Sequence, residues 1–185
     1  MKHTLLTLSL TAAALPAQFA NAQPAVRYDN QQQRIAQGVS SGQLTAGETT
    51  NLELKEAAIH QEVRTDRALN GGRLTGAERA QVNRQDNHLS SQIYADKHNA
   101  AVQHYGSNEA DARRYNQQQR IAGGIANHSL NASQATRLEG HEAAINKEVR
   151  GDRSLNGGRL TNGERAVVNH EQNQVSRQIY KAKHS

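Results

Sequence analysis

Arginine side chains that could bind an anion recur around a Gly-Gly turn that the chain contains twice. Four arginines surround the first turn, and four more occupy the same positions 86 residues later. They are Arg64, Arg67, Arg73 and Arg79, followed by Arg150, Arg153, Arg159 and Arg165. Guanidinium groups beside a glycine turn and a helix N-terminus suit a phosphate or carboxylate ligand. The alternative is a solvated ion-pair network with Glu62, Asp66 and Glu78, because these acids nearly balance the arginines.

The same turns carry oxygen ligands that suit a divalent cation. The segments 72–78 and 158–164 both read Gly-Arg-Leu-Thr-x-x-Glu, which resembles the second half of an EF-hand calcium loop. The resemblance implies calcium ligands at Asp66, Asn70 and Glu78, and again at Asp152, Asn156 and Glu164. The first half of the loop departs from the pattern, and Asp66 and Asn70 fit only if the loop has an extra residue. A metal-free alternative is that Thr75 and Glu78 form a helix capping box.

Polar residues also interrupt the apolar stripes of the predicted helices. They are Glu56 and Asp86 in the first half of the chain, and Glu142 and Gln172 in the second. One interpretation is a polar layer that fixes helix register. The other is a paired-carboxylate metal or catalytic site, although Gln172 in place of Asp86 argues against chemistry required of both halves.

The sequence contains little else that indicates catalysis. There is no nucleophile motif, phosphate-binding loop or dinucleotide fingerprint. No two of the helical histidines His60, His88, His141 and His170 form an i, i+4 pair, which disfavours a zinc site. We therefore predict a protein that is not an enzyme and that needs no cofactor, with calcium as the one candidate ion.

An internal repeat determines the elements that must position these residues. Residues 30–98 align without a gap on residues 116–184, with 41 of 69 positions identical. Apolar residues at helical spacing and only two prolines predict helices throughout. The predicted fold is all-α, with two tandem copies of a three-helix unit, each a short helix followed by a long antiparallel hairpin. The predicted helices are 28–40, 46–68 and 76–98 in the first copy, and 108–126, 132–154 and 162–184 in the second.

The beginning of the chain has the pattern of an export signal. Leu5–Leu15 is a short apolar run, and Ala20-Asn21-Ala22 provides small residues for cleavage. The predicted organisation is a signal peptide (1–22), a first helical unit (23–98), a linker (99–113) and a second unit (114–185). We expect a periplasmic or secreted protein that is not transmembrane once the signal is removed.

Charge and aromatic content constrain the partners without naming one. The net charge is +5, aromatic residues are 3% of the chain, and there is no cysteine. Such a surface permits a polyanion partner but does not require one, and few rings are available to stack on bases. An unknown protein partner, a polyanion and self-association all remain open.

The layout resembles small exported bacterial helical-repeat proteins of unknown function with degenerate EF-hand-like turns. The shared words are Gln-Gln-Gln-Arg-Ile at 31–35 and 117–121, the Gly-x-Leu-Thr-x-x-Glu turns, and the endings 93–98 and 179–184. The resemblance implies no activity. The sequence thus predicts an exported non-catalytic binding or structural module of the cell envelope. The alternatives are calcium binding through the EF-hand-like loops and polyanion or nucleic-acid binding through the arginine-rich turns.

Overall fold

The computed structural model of the protein describes residues 24–106 and 108–185. The predicted signal peptide, 1–22, lies outside these described residues. Within them, no helix combines the length and the apolar character that crossing a membrane would require.

The described chain folds into six α-helices that cover most of its length. They are α1 (Pro24–Ser41), α2 (Ala46–Leu69), α3 (Gly76–Lys97), α4 (Glu109–Ala126), α5 (Ala132–Leu155) and α6 (Asn162–Lys183). The prediction of an all-α fold is confirmed, and every helix boundary lies within four residues of its predicted position.

Local side-chain chemistry explains where the long helices begin. Thr45, Thr75 and Thr161 each accept a hydrogen bond from the backbone of a glutamate three residues on, and that glutamate bonds back to the cap. Asn131 forms the same capping box with Gln134. These boxes satisfy amide groups that the first helical turn leaves unpaired.

The turns between the paired long helices depend on glycine. Gly71 and Gly72 have φ values of 62° and 88°, and Gly157 and Gly158 repeat them. Side chains with a Cβ rarely adopt these angles. The turn is therefore encoded locally, as the sequence predicted.

The six helices share one hydrophobic core, and its centre lies between the two copies of the repeat. Helices α2 and α5 make the most extensive contact, followed by α1 with α4. Helix α3 packs on α1 and α2, and α6 packs on α4 and α5. The shared core includes Ile35 and Leu52 from the first copy and Ile121 and Leu138 from the second. Each copy therefore buries apolar surface against the other as well as within itself.

Reciprocal hydrogen bonds join α1 to α4. Gln33 Nε2 donates to the carbonyl oxygen of Ala126 at 2.6 Å, and Gln119 Nε2 donates to that of Ser40 at 2.8 Å. Gln33 corresponds to Gln119 in the repeat, and Ser40 to Ala126. The contact is therefore approximately two-fold symmetric, as expected when two copies of one sequence pack through the same face.

The segment between the copies folds back onto both of them. Asn99 Nδ2 donates to Glu48 Oε1 at 2.7 Å, and the backbone N–H of Gln103 donates to the carbonyl oxygen of Gly42 at 2.8 Å. Tyr105 packs edge-to-face on Tyr115 of α4, with ring centroids 5.4 Å apart. Helix α4 begins at Glu109, so the last five residues of the range predicted as linker are helical.

Candidate functional site

The candidate metal ligands of the turns are engaged in helix capping. Glu78 Oε2 accepts a hydrogen bond from the backbone N–H of Thr75 at 2.7 Å, and Asn70 Nδ2 donates to the two Glu78 oxygens at 2.8 and 3.0 Å. The backbone hydrogen bond from Thr75 lowers the pKa of the Glu78 carboxyl. Asn70 therefore presents an amide N–H group to Glu78, whereas a cation would need an oxygen.

The second turn has the same geometry. Asn156 Nδ2 donates to both oxygens of Glu164, and Thr161 N donates to one of them. Asp66 and Asp152 contribute backbone carbonyls that end the preceding helices, accepting from the N–H groups of Asn70 and Asn156 at 3.0 Å. Across residues 24–106 and 108–185, no three His, Asp or Glu side chains are arranged to hold a metal ion.

The predicted arginines divide into different environments. Arg64 Nη2 donates to Gln61 Oε1 at 2.6 Å, and Glu62 accepts from Gln81 and Gln85. In the described part of the chain, no ion pair joins the four arginines of the first turn to Glu62, Asp66 or Glu78. The expected ion-pair network is thus not formed at the first turn.

At the second turn, three of the predicted arginines line one depression. Arg153, Arg159 and Arg165 border a cavity of about 380 Å³ with Asn108 and Glu109. Arg153 Nη2 also pairs with Asp111 Oδ2 at 3.1 Å, and Arg165 donates to Asn162. The structure therefore gathers Arg153, Arg159 and Arg165. Arg150, the fourth predicted member, is exposed on α5 and does not line this cavity.

The most unusual feature of the fold is a set of four glutamates on α2 and α5, which we call the glutamate layer. Glu53 and Glu139 are 0% exposed, and Glu56 and Glu142 are 1% exposed. Glu56 and Glu142 were predicted from the sequence as interruptions of the apolar stripe. Sequence reasoning missed Glu53 and Glu139. Two features of the sequence could have indicated them. Glutamate occupies this position in both copies, and it lies three residues before Glu56 and Glu142.

The glutamate layer has few hydrogen-bond partners. Gln32 Nε2 donates to Glu53 Oε2 at 3.3 Å, and Gln118 Nε2 donates to Glu139 Oε2 at 2.9 Å. The other oxygen of each of these two glutamates has no partner, nor have Glu56 Oε2 and both oxygens of Glu142 among the described residues. Buried carboxylates without partners are costly, so the neutral acid is favoured.

Burial shifts the titration of the whole layer. It raises the pKa of Glu53 to about 7, although the hydrogen bond from Gln32 opposes it. Burial, and then the nearby charges of Glu53 and Asp86, raise the pKa of Glu56 to about 8. Burial also raises the pKa of Glu142 to about 7 against the effect of Arg114, and it raises the pKa of Glu139 well above its usual value. The layer therefore holds protons at a pH where exposed glutamates have lost them.

The two copies differ next to this layer. Position 28 is tyrosine in the first copy, and the matching position 114 is arginine in the second. Arg114 Nη1 pairs with Asp111 Oδ1 at 3.1 Å, with side chains 6% and 3% exposed. In the first copy a cavity of about 200 Å³ lies beside Tyr28, and Glu56 and Asp86 line it. The repeat thus has a buried arginine in one copy, and in the other a cavity whose lining includes the exposed Arg64 and Arg67.

Comparison of the chain with protein families, with characterised proteins and with solved structures finds no match. The chemistry of the site must therefore be inferred from its own residues. Protonated buried acids can respond to pH, and the carboxyl groups that line the cavity can accept hydrogen bonds.

Proposed function

We propose that the protein is an exported, non-catalytic module of the bacterial cell envelope whose fold loosens as pH rises. In this proposal, two tandem three-helix units are held together by α2 and α5, and the glutamate layer makes that contact sensitive to pH. The observation that carries the proposal is the burial of four carboxyl groups on α2 and α5, the two helices that make the most extensive contact between the copies.

The direction of the response follows from proton linkage. The pKa values of the glutamate layer are raised on folding, so the folded state keeps protons that the unfolded state releases. Their stabilising effect is fully present below pH 4.5 and is lost as the pH rises toward 7–8. One pKa unit corresponds to about 1.4 kcal/mol, so Glu53 alone accounts for about 3 kcal/mol over this range.

Other groups around the layer modify this response without reversing it. From α3, the pKa of Asp86 is raised by burial and lowered less strongly by Arg27. From α4, Arg114 favours ionised Glu142. Burial raises the pKa of Tyr28 and of Tyr105, so both rings stay neutral in the relevant range. Only Arg114 supplies a buried positive charge here among the residues described.

The test is urea denaturation, followed by circular dichroism, at pH 5, 6, 7 and 8. We expect the free energy of unfolding to fall with pH in the native sequence. The fall should be clearly smaller in Glu53→Gln, where the group cannot ionise. Glu109→Gln is the matched control, because Glu109 is exposed and its ion pair with Arg113 lies at the surface. A flat profile for the native sequence, or equal slopes in both variants, would contradict the proposal.

A second candidate function is binding of a polyanion at the second turn. It is favoured by the cavity that Arg153, Arg159 and Arg165 line. Affinity for heparin or duplex DNA should then fall steeply with salt, because phosphate or sulfate contacts release counterions. Arg159→Gln should weaken binding and reduce the salt slope. Arg73→Gln, the same substitution at the other turn, is the matched control. Salt-independent binding, or none, would remove this candidate.

A further inference from the structure

The repeat provides an internal comparison for one buried position. Arg114 in α4 and Tyr28 in α1 are equivalent by the 86-residue offset. Their neighbours on the long helices, Glu142 and Glu56, are also equivalent and equally buried. The side chain at this position in the second copy therefore indicates which kind of ligand the first copy could bind.

In the second copy, the position that matches Tyr28 carries a buried guanidinium group. Arg114 bonds to Asp111 at 3.1 Å and lies 5.6 Å from the ring centroid of Tyr105. Its charge favours the ionised form of Glu142. A carboxylate and an aromatic face are the two groups that usually recognise a planar cation.

In the first copy, the acidic and aromatic groups are present, and the two arginines that line the cavity, Arg64 and Arg67, are exposed rather than buried. The cavity of about 200 Å³ is lined by Glu56 of α2, Asp86 of α3 and the half-buried ring of Tyr28. Glu56 is 1% exposed, and its Oε2 has no hydrogen-bond partner among the described residues. Asp86 is 6% exposed and replaces the neutral Gln172 of the second copy. The first copy thus has Asp86 where the second has Gln172, and it lacks both members of the buried Arg114–Asp111 pair, because the matching positions are Tyr28 and Ala25.

Several groups that are or can become positive line the cavity or lie beside it. Arg64 and Arg67 line it as exposed residues on the last turns of α2, and Arg64 is hydrogen-bonded to Gln61. The His60 ring packs against Tyr28 at a tilt of 46°, with ring centroids 4.1 Å apart. Burial, and then Arg64 and Arg67, lower the pKa of His60, which favours its neutral form. Arg27 is hydrogen-bonded to Asn87. None of these groups donates a hydrogen bond to Glu56 among the described residues.

We propose that this cavity binds a small organic cation, an alkylguanidinium with a short aliphatic chain. The guanidinium group takes the place that Arg114 occupies in the second copy, with Glu56 and Asp86 as its acceptors. The apolar side chains Ile59, Val63 and Val82 also line the cavity and suit the aliphatic part. A cavity of about 200 Å³ has room for several water molecules, and therefore for a small organic cation.

Binding should release a proton to the buffer, and calorimetry can detect this release. When Glu56 is protonated, the ligand cation displaces its proton, which passes to the buffer, and an ion pair forms between the guanidinium and the carboxylate. The measured binding heat should therefore depend on the ionisation heat of the buffer near pH 7. This dependence separates the Glu56 site from attraction to exposed acids, which are already ionised.

The test is titration with ethylguanidinium chloride, followed by amide NMR and by calorimetry. Saturable shifts should appear for amides around Glu56, His60 and Asp86, and not around the equivalent Glu142. Ethylurea, a neutral compound of the same shape, should bind at least ten times more weakly. Calcium chloride is a third probe. Shifts at this cavity with calcium but not with ethylguanidinium would overturn the proposal in favour of a metal site.

Two variants and a matched control complete the design. Glu56→Gln and Tyr28→Arg should each weaken binding at least tenfold, the first by removing the acceptor and the second by filling the cavity as Arg114 does. Glu142→Gln should bind like the native protein, because the equivalent space already holds Arg114. The proposal is overturned by the absence of saturable shifts, by equal binding of ethylurea, or by unchanged affinity in Tyr28→Arg. Saturable binding does not depend on the pH response of the glutamate layer, so either proposal can fail alone; only the buffer-dependent heat shares with it the protonation of Glu56.

Discussion

Gln118 donates a hydrogen bond from its Nε2 to Glu139 Oε2 at 2.9 Å, with both side chains buried between α4 and α5. The equivalent bond from Gln32 to Glu53 is 3.3 Å long. The two copies therefore bury the same pair of polar groups, and a glutamine amide is the only described donor to each acid. Because both groups are buried, a protonated glutamic acid in this pair costs much less free energy than a charged carboxylate.

Substitution at Glu139 should separate charge from packing. Glu139→Gln keeps the volume and an acceptor for Gln118 but removes the ionisation, so it should stabilise the protein by about 1–3 kcal/mol at pH 8 and little at pH 5. Glu139→Ala leaves a cavity and an unpaired Gln118, so it should destabilise by about 2 kcal/mol or more at pH 5. Urea denaturation at the two pH values measures both. Destabilisation by Glu139→Gln at pH 8 would show that the carboxylate has a partner in solution.

Arg114 and its neighbour Arg113 should differ strongly in their contribution to stability. Arg114→Met leaves the buried Asp111 with the partly exposed Arg153 and a hydrogen bond from Asn108, so we expect a loss of about 3 kcal/mol. Arg113→Met breaks the exposed pair with Glu109 and an exposed hydrogen bond to Asn173, and should cost less than about 1 kcal/mol. Chemical denaturation at pH 6 compares the two. Similar losses would mean that the buried pair is not formed in solution.

Replacing two adjacent glycines of α4 by alanine should change the stability of the protein in opposite directions. A Cβ at Gly124 would lie 2.6 Å from Leu130 Cδ1, so Gly124→Ala should destabilise by about 1–3 kcal/mol. A Cβ at Gly123 meets nothing within 4 Å, so Gly123→Ala should stabilise by about 0.5–1 kcal/mol through helix propensity. Thermal melts of both variants provide the comparison. A gain in melting temperature for Gly124→Ala would show that Leu130 can move away.

The turns should behave as caps whether or not calcium is present. Thr75→Ala removes the hydroxyl that accepts from Glu78 N, so it should cost about 1 kcal/mol. We expect the same cost in millimolar calcium chloride and in EDTA, because the Glu78 carboxylate is bonded to Thr75 N and Asn70. Thermal melts in the two buffers test this. A melting temperature raised by calcium in the native protein and not in Glu78→Gln would instead support the EF-hand-like alternative.

The local parts of this protein could be predicted from its sequence because local interactions determine them. Thr75 and Glu78 are three residues apart, which is the spacing of a capping box, and Gly71 and Gly72 supply the positive φ of the turn. The apolar spacing places Leu52 and Ile59 on one helical face. Each of these features requires only a few neighbouring residues, so the six helices and their ends could be predicted.

Tertiary packing determined which helices pack against each other's apolar faces. An apolar stripe does not specify its partner, and the contact of α2 with α5 exceeds that of α2 with its hairpin neighbour α3. That arrangement buries Glu53 and Glu139, whose charged side chains would otherwise suit a solvated face. It also places Arg114 beside Asp111 in the second copy and leaves a cavity beside Tyr28 in the first. The alignment of the two copies shows that these positions differ, but it does not show what surrounds them. Burial and charge interaction depend on residues distant in the chain, so the candidate site is a property of the folded molecule.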